Sequence, residues 1–225
     1  MNILYERLIL IVLVLIQLIV LWCMYDNHYV YSHTLDSVIL KYKPGQPDAI
    51  APENSPISDD MAAWITIDNT NIDYPIMQGT DNVQYLNTDP FGNYSLSGSI
   101  FLDSRNSFDF SDDYSLIYGH HMEYGKMFGA LSDFLDASYL DQHTSGTLSI
   151  GKNAEKTYKL EVFASLKASA REKTVFNPSH GDIRQFIADY AEVFTTEQNH
   201  RIIGLSTCAD GDAVSRIIVF CYVLE

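Results

Sequence analysis

The chain has 225 residues, which is enough for one sizeable folded domain and an additional segment. Its composition, 47% hydrophobic and 12% aromatic, is typical of a folded protein and excludes a disordered one. The formal net charge of −15 argues against a nucleic-acid-binding function, because the phosphates would be repelled.

The first distinct pattern is the apolar run from Leu8 to Met24, LILIVLVLIQLIVLWCM. Its 17 residues include no charge and one polar side chain, Gln17, so it lacks the polar stripe of a buried core helix. As a helix it would extend about 26 Å, slightly less than a hydrocarbon core of about 30 Å. No small-x-small cleavage site follows the run, which argues against a cleaved signal peptide. We predict a retained transmembrane anchor over residues 8–24, preceded by a cytoplasmic tip at residues 1–7.

The charges that flank this run predict its orientation. Arg7 and the amino terminus precede the run, and the first lysine or arginine after it is Lys41. The positive-inside rule therefore favours a cytoplasmic N-terminus and a domain outside the cell. The predicted location is the cell membrane, which the chain crosses once.

The segment that follows, residues 25–57, is predicted to be a stalk. Its first part, residues 25–43, is polar and aromatic and is compatible with a short helix. Residues 44–57 hold four of the seven prolines, which indicates either a stiff linker or an arm wrapped on the domain. We predict that the folded domain itself comprises residues 58–225.

Short strand patterns dominate this domain. WITI, NIDYPIM, GSIFLD and YSLIYG are rich in Ile, Tyr and Phe and are separated by turn residues. Further strands are predicted near 146–150 and 157–168, and RIIGLST and RIIVFCYVL close the chain. Apolar residues at helical spacing predict two helices, over 126–140 and 182–193. Many strands with few helices indicate a mostly β fold, a largely antiparallel barrel or sandwich.

The three cysteines lie in different contexts. Cys23 belongs to the apolar run, and Cys221 has the ordinary role of a small buried hydrophobe in the last strand. If the last two strands form a hairpin, Cys208 lies opposite Arg216, about 17 Å from Cys221 along the strand. This distance excludes a disulfide, which needs Cα atoms within about 7 Å. No cysteine or histidine stands at ligand spacing from Cys208, so we predict no metal site.

Two interpretations of Cys208 remain open on these residues alone. In the first, the guanidinium of Arg216 lies beside Cys208 and favours the reactive thiolate. In the second, Cys208 is an inert thiol at a strand end. A nucleophilic cysteine usually needs a histidine. His120 and His121 directly follow the strand pattern YSLIYG and could reach into a cleft, although a pair of surface histidines would give the same pattern.

Four sequence blocks together resemble a class B sortase. They occur in the order WITIDNTNIDYPIMQGTDNVQYL, GSIFLD, IYGHHMEYGKMFGAL and LSTCADGDAVSRIIVF, and extend from Trp64 to Phe220. Sortases are membrane-anchored transpeptidases of Gram-positive bacteria. The resemblance implies an eight-stranded β barrel with N-terminal helices and a helix before the cysteine strand. The predicted helix at 182–193 fits that last position.

The resemblance also implies roles for individual residues. Cys208 matches the nucleophile, His120 the general acid and base, and Arg216 the arginine that steadies the substrate and the oxyanion. Three further residues match positions that line the substrate groove, namely Asn82, Leu86 and Ser206. The sequence departs from the family pattern at His121, where asparagine commonly follows the catalytic histidine, and at Ala209, where related enzymes can carry an acidic side chain.

The function that the resemblance implies is transpeptidation without a cofactor. The enzyme would cleave exported proteins at a C-terminal sorting motif similar to Asn-Pro-x-Thr or Ser-Pro-x-Thr. It would then join the threonine to an amine of the cell-wall peptide. The alternatives are a cysteine peptidase that does not transfer, and a non-catalytic surface-binding module on a membrane anchor. A papain-like hydrolase fits less well, because it places the cysteine before the histidine in sequence, whereas here His120 precedes Cys208.

Overall fold

The computed structural model describes residues 3–32, 37–209 and 212–224. The chain divides into two compact units, one up to residue 36 and one that starts at Ser37. The sequence predicted the start of the folded domain later, at residue 58.

The first unit is a single helix, α1, over Ile3–Ser32. Its stretch Tyr5–Tyr25 is long and apolar enough to cross a membrane by length and composition. It includes the predicted anchor, residues 8–24, and extends it at both ends. Within this stretch Cys23 is exposed.

The second unit begins with an arm that packs on the following domain. The arm contains the short helix α2, Ser37–Leu40, and a 3-10 turn at Pro52–Asn54. Ile39 and Ile57 are 2% and 3% exposed, so both ends of the arm are embedded. Nζ of Lys43 lies 2.8 Å from a carboxylate oxygen of Asp73 on the barrel. Of the two alternatives for residues 44–57, these contacts fit an arm wrapped on the domain, and the packing begins before it, at Ile39.

In the part of the chain that the structure describes, nine strands make one sheet. In chain order they are β1 Met61–Ile67, β2 Asp73–Met77, β3 Ile100–Leu102, β4 Tyr114–Tyr118, β5 Ser145–Ile150, β6 Lys156–Ser169, β7 Val193–Phe194, β8 Arg201–Ala209 and β9 Asp212–Leu224.

Eight of these strands form a closed barrel, which confirms the predicted fold. Their order is β5-β1-β2-β3-β4-β8-β9-β6, and pairing of β5 with β6 closes the ring. The two-residue strand β7 pairs only with β6, outside the ring. Most pairs are antiparallel, but β2–β3 and β4–β8 are parallel. The parallel pair β4–β8 matters for function, because parallel strands end at the same edge of a sheet.

The segment between β4 and β5 differs from the single helix that its apolar spacing predicts over 126–140. It forms a 3-10 turn at Glu123–Gly125, a longer 3-10 helix at Gly129–Leu135 and the α-helix α3, Ala137–Gln142. Asp136 separates the last two, because its backbone is extended and its side chain accepts a hydrogen bond from the Ser138 amide as an N-cap. The apolar side chains are nevertheless buried as expected, with Phe128 and Phe134 at 0% exposure.

Two helices cover one face of the barrel between β6 and β8. They are α4, Lys173–Phe176, and α5, Ile183–Tyr190, where Asp182 caps α5 by accepting hydrogen bonds from two backbone amides. The predicted helix at 182–193 is thus confirmed, with its end three residues earlier. Val175 and Ile187 pack into a core cluster on the barrel that includes Phe163 and Phe220.

Candidate active site

Three neighbouring strands, β4, β8 and β9, bring candidate residues to one edge of the sheet. In the parallel pair β4–β8, Tyr118 lies beside Ser206. His120 and Cys208 each come two residues further along, so both lie towards the same edge of the sheet. In the antiparallel pair β8–β9, Cys208 lies directly opposite Arg216, which confirms the predicted hairpin register.

A cavity of about 280 Å³ opens at this edge of the sheet. The residues that line it are Asn82, Leu86, Phe101, Tyr118, Gly119, His120, Ser206, Thr207 and Arg216. Five of the six residues that the sequence singled out are therefore part of one concave surface. The sixth, Cys208, follows Thr207 in β8, and its side chain lies outside the described part of the structure.

The imidazole of His120 is held by a backbone carbonyl. Its Nε2 lies 2.8 Å from the carbonyl oxygen of Leu86, which can only accept a hydrogen bond. Nε2 must therefore carry a proton, which leaves Nδ1 as the nitrogen that can gain or lose one. His121 pairs with Met127 in an isolated β-bridge and does not line the cavity.

The amide of Asn82 is fixed on both sides. Its Nδ2 donates to a carboxylate oxygen of Asp103 at 2.9 Å, and its Oδ1 accepts from the Ser104 amide at 2.7 Å. Asn82 and Leu86 both belong to the connection between β2 and β3, which forms a 3-10 turn at Gln84–Leu86. Through Asn82 and Leu86 this connection forms one wall of the cavity.

Asp103 lies behind this wall and is 0% exposed. Besides Asn82 it accepts hydrogen bonds from the Tyr118 hydroxyl at 2.9 Å and from the guanidinium of Arg105 at 2.6 and 2.8 Å. Burial by itself would raise the pKa of Asp103, but the hydrogen bonds from Arg105 and Tyr118 outweigh it and hold the pKa below its ordinary value. The carboxylate is therefore ionised at neutral pH. Burial and the nearby Asp103 charge raise the pKa of Tyr118, so its hydroxyl stays protonated.

Two buried hydroxyl groups of β8 have no hydrogen-bond partner among the described residues. Ser206 and Thr207 are 1% and 2% exposed, and neither Oγ nor Oγ1 makes a hydrogen bond there. Because neighbouring residues of a strand point to opposite faces, the hydroxyl on the face that Tyr118 shares is that of Ser206.

Sequence reasoning missed four of the lining residues, namely Phe101, Tyr118, Gly119 and Thr207. Strand alternation could have found Tyr118, because it lies two residues before His120 and therefore on the same face of the sheet. Phe101 comes from another strand, β3, and no local signal links it to the site.

Cys221 is not a candidate nucleophile. It is 0% exposed within β9, and burial raises the pKa of its thiol to about 12. At neutral pH this thiol remains protonated and cannot act as a nucleophile.

Known proteins with the same features are sortases. The family model described as the sortase domain matches residues 65–223. Sortase B of Staphylococcus aureus is 30% identical over 179 residues, which cover 75% of this chain and 72% of the relative. Sortase B of Listeria monocytogenes is 35% identical over 161 residues, or 68% of this chain and 64% of the relative.

Comparison of the fold with solved structures also identifies sortases. A crystal structure of a Streptococcus pyogenes class B sortase involved in pilus biogenesis superposes with a TM-score of 0.67 at 36% identity. The match covers 74% of this chain and 94% of that one. The matched family region begins within β1 and ends within β9, and it includes the strands between them and all the residues that line the cavity. The chain therefore belongs to the sortase family and is a cysteine transpeptidase of the class B type.

Proposed function

We propose that this enzyme transfers exported proteins onto an amine through a thioester on Cys208. In the first step the Cys208 thiolate attacks the threonine carbonyl of a C-terminal sorting motif, similar to Asn-Pro-x-Thr or Ser-Pro-x-Thr. A carbon–sulfur bond forms, the peptide carbon–nitrogen bond breaks, and the leaving amine takes a proton from the imidazolium of His120. In the second step an incoming amine attacks the thioester, loses a proton to His120 and releases the thiolate.

The observation that carries this proposal is the convergence of three neighbouring strands at the edge of the sheet where the cavity opens. Cys208 is the last residue but one of β8, Arg216 lies opposite it in β9, and His120 follows the parallel strand β4. A histidine and an arginine beside one cysteine are what acyl transfer through a thiolate requires.

The hydrogen bond to Leu86 supports a particular role for each nitrogen of His120. Because Nε2 donates to the Leu86 carbonyl, Nδ1 would exchange the proton with the thiol, the leaving amine and the incoming amine. The same hydrogen bond holds the imidazole ring in place. Because the partner is a neutral carbonyl, it brings no charge next to the ring. His121, which does not line the cavity, has no comparable access to a reacting group.

Arg216 would stabilise the negative charge on the tetrahedral oxygen. Arg216 lines the cavity, and a guanidinium offers several N–H donors in a fixed planar fork. Donors aimed at such an oxygen typically lower the barrier by about 3–4 kcal/mol. Asn82, Leu86 and Ser206 would bind the motif, Leu86 by apolar contact and the other two through hydrogen bonds.

The proposed location follows from the anchor. The helix at Tyr5–Tyr25 would hold the enzyme in the cell membrane, with the N-terminus in the cytoplasm and the barrel outside. There it would meet secreted proteins that carry the sorting motif and the lipid-linked precursor of the cell wall, whose peptide stem supplies the amine. Cleavage of the barrel by protease added to intact cells lacking a cell wall tests this orientation, and protection of the barrel would contradict it.

The test of the reaction is to incubate the full chain in detergent with peptides that carry Asn-Pro-x-Thr or Ser-Pro-x-Thr and a candidate amine. Mass spectrometry should show a peptide shortened after threonine and a second product in which threonine is joined to the amine. Amines of a cell-wall peptide and of a surface protein are compared, since the Streptococcus pyogenes relative is involved in pilus biogenesis. Only hydrolysis at saturating amine would favour a peptidase, and no cleavage of any peptide would overturn the proposal.

Variants assign the residues. Cys208→Ala and His120→Ala should each abolish product formation, whereas His121→Asn, the commoner family residue, should retain it. Activity that survives in His120→Ala but is lost in His121→Asn would move the acid–base role to His121.

A further inference from the structure

We infer that Asp103 is a positioning residue for substrate recognition, because it sets which hydrogen-bonding groups Asn82 and Tyr118 present to the cavity. This inference rests on the proposed function, in which that cavity binds the sorting motif. Asp103 itself does not line the cavity. It would act entirely through the two side chains in front of it.

The contacts of Asp103 make it the common anchor of this wall. One carboxylate oxygen accepts from Asn82 Nδ2 at 2.9 Å, from Tyr118 Oη at 2.9 Å and from Arg105 Nη2 at 2.6 Å. The other accepts from the backbone amide of Arg105 at 2.9 Å and from its Nε at 2.8 Å. The two cavity residues come from different parts of the chain, and Asp103 is the group that both contact.

An ionised carboxylate can only accept hydrogen bonds, and this decides the orientation of its partners. Asn82 must turn its NH2 group towards Asp103, which places its oxygen against the Ser104 amide. Tyr118 must give its only proton to Asp103, so its oxygen can only accept from a ligand. The wall thus offers the remaining N–H of Asn82 as a donor and the Tyr118 oxygen as an acceptor.

This pair of groups is complementary to a peptide backbone. An extended peptide carries one N–H donor and one C=O acceptor per residue, and the two groups of the wall match one of each. These two hydrogen bonds to the peptide backbone do not depend on a side chain of the ligand. Asp103 would therefore contribute to the binding of the motif as a peptide, while the neighbouring apolar residues Leu86 and Phe101 select side chains.

Arg105 keeps the Asp103 carboxylate ionised and fixes its position. Its side chain is 43% exposed, so its charge is partly solvated, while it contacts the fully buried Asp103 carboxylate through two nitrogens. Arg105 also donates to the carbonyl of Phe176 at the end of α4, at 2.7 Å. The guanidinium thereby links the cavity wall to the helical cover of the barrel.

A purely structural role for Asp103 makes a different prediction, and Asp112 provides the matched control. Asp112 is also a carboxylate in the connection between β3 and β4, and it accepts from Asn106 Nδ2 at 2.8 Å and from the Ser107 amide at 2.6 Å. Hydrogen bonds from the same two residues lower its pKa, although burial opposes them. Asp112 does not line the 280 Å³ cavity.

The experiment compares Asp103→Asn with Asp112→Asn in the full chain, using cleavage of a sorting peptide and binding of that peptide to the Cys208→Ala background. Asparagine has the size of aspartate, but it is uncharged and an NH2 group replaces one of the two accepting oxygens, so it cannot accept both the three hydrogen bonds made to one oxygen of Asp103 and the two made to the other. We expect Asp103→Asn to raise KM and the peptide Kd about tenfold and to change kcat by less than about threefold. Asp112→Asn should lower the thermal midpoint with KM unchanged.

A double-mutant cycle separates positioning from a general loss of stability. If Asp103 acts through Tyr118, the effect of Asp103→Asn on KM should fall to less than about half in a Tyr118→Phe background. Should Asp103→Asn fail to fold, Asp103→Asn/Arg105→Gln replaces it, because this variant removes both charges together and leaves an amide pair.

The outcomes are distinguishable from failure of the proposed function. Unchanged KM and Kd in a folded Asp103 variant, or effects that add fully with Tyr118→Phe, would overturn the inference while leaving the transpeptidase intact. A wild-type chain that neither binds nor cleaves any sorting peptide would instead overturn the proposed function, independently of Asp103.

Discussion

Arg216 is the residue whose geometry, beyond its charge, is expected to matter most. Arg216→Lys keeps the positive charge but loses the planar fork of donors. We expect a loss of at least about 1–3 kcal/mol of transition-state stabilisation, the size of a buried charge-assisted hydrogen bond. The measurement is kcat/KM for peptide cleavage, with circular dichroism as the control for folding. Near-native turnover in Arg216→Lys would show that charge alone suffices.

Cys221 tests the distinction between the two cysteines of the barrel. Its thiol is fully buried and its pKa is raised to about 12, so Cys221→Ser should leave peptide cleavage nearly intact. The substitution places a hydroxyl in the core, which should lower stability by about 1–3 kcal/mol. Turnover and thermal midpoint are measured on the same sample. Loss of turnover in a folded Cys221→Ser protein would contradict the assignment of Cys208.

Asp103 should make the stability of the protein depend on pH in the acid range. Its folded-state pKa is lowered, so its contribution to stability is present above the unfolded pKa of about 3.9 and is lost as the pH falls through the folded value. The thermal midpoints of wild type and Asp103→Asn should therefore differ most at neutral pH and converge in acid. A difference that stays constant from pH 7 to pH 3 would show that ionisation of Asp103 is not what stabilises the fold.

At the scale of elements, the turn that carries Leu86 depends on Gly98. Gly98 has a φ of +56°, and a Cβ on it would lie 2.4 Å from the Leu86 carbonyl oxygen, the acceptor of His120. Gly98→Ala should displace this oxygen and with it the imidazole, lowering kcat by about tenfold or more, as small misplacements of catalytic groups do.

Gly92 is the matched control for this substitution. Its φ is +83°, so alanine is strained there too, but a Cβ on Gly92 would meet nothing within 4 Å. Gly92→Ala should therefore cost about 1 kcal/mol of stability with kcat unchanged. Equal losses of kcat in both variants would indicate that backbone strain, and not displacement of the Leu86 carbonyl, is responsible.

At the scale of the whole molecule, the compact unit that starts at Ser37 should fold without α1. The arm from residue 37 is bound to the barrel through Ile39, Ile57 and the Lys43–Asp73 pair, so these residues belong to the soluble domain. A fragment of residues 37–225 should be monodisperse and cleave the sorting peptide at the rate of the full chain. A fragment that starts at residue 58 exposes the surface beneath the arm and should have a lower thermal midpoint. Equal midpoints would show that the arm contributes nothing to stability.

Much of this molecule could be predicted from the sequence because the relevant signals are local. The apolar run at residues 8–24, the strand alternation and the helix at 182–193 each depend on neighbouring residues. The pairing of Cys208 with Arg216 is also local, since β8 and β9 are consecutive strands separated by two residues in the sequence. The helix predicted at 126–140 was wrong in type, because apolar spacing shows which residues are buried and does not exclude a cap at Asp136.

What only the tertiary structure decided is how the distant residues of the site meet. The contacts of Asp103 with Asn82 and of His120 with Leu86 join residues 21 and 34 positions apart. The arrival of His120 and Cys208 at the same edge of the sheet depends on β4 and β8 being parallel neighbours across a connection that contains two other barrel strands. Sequence alternation determines which face of a strand a side chain occupies, but closure of the barrel determines which strands are neighbours. The candidate residues of the site can therefore be predicted from the sequence, whereas the hydrogen bonds that orient their side chains form only when the barrel closes.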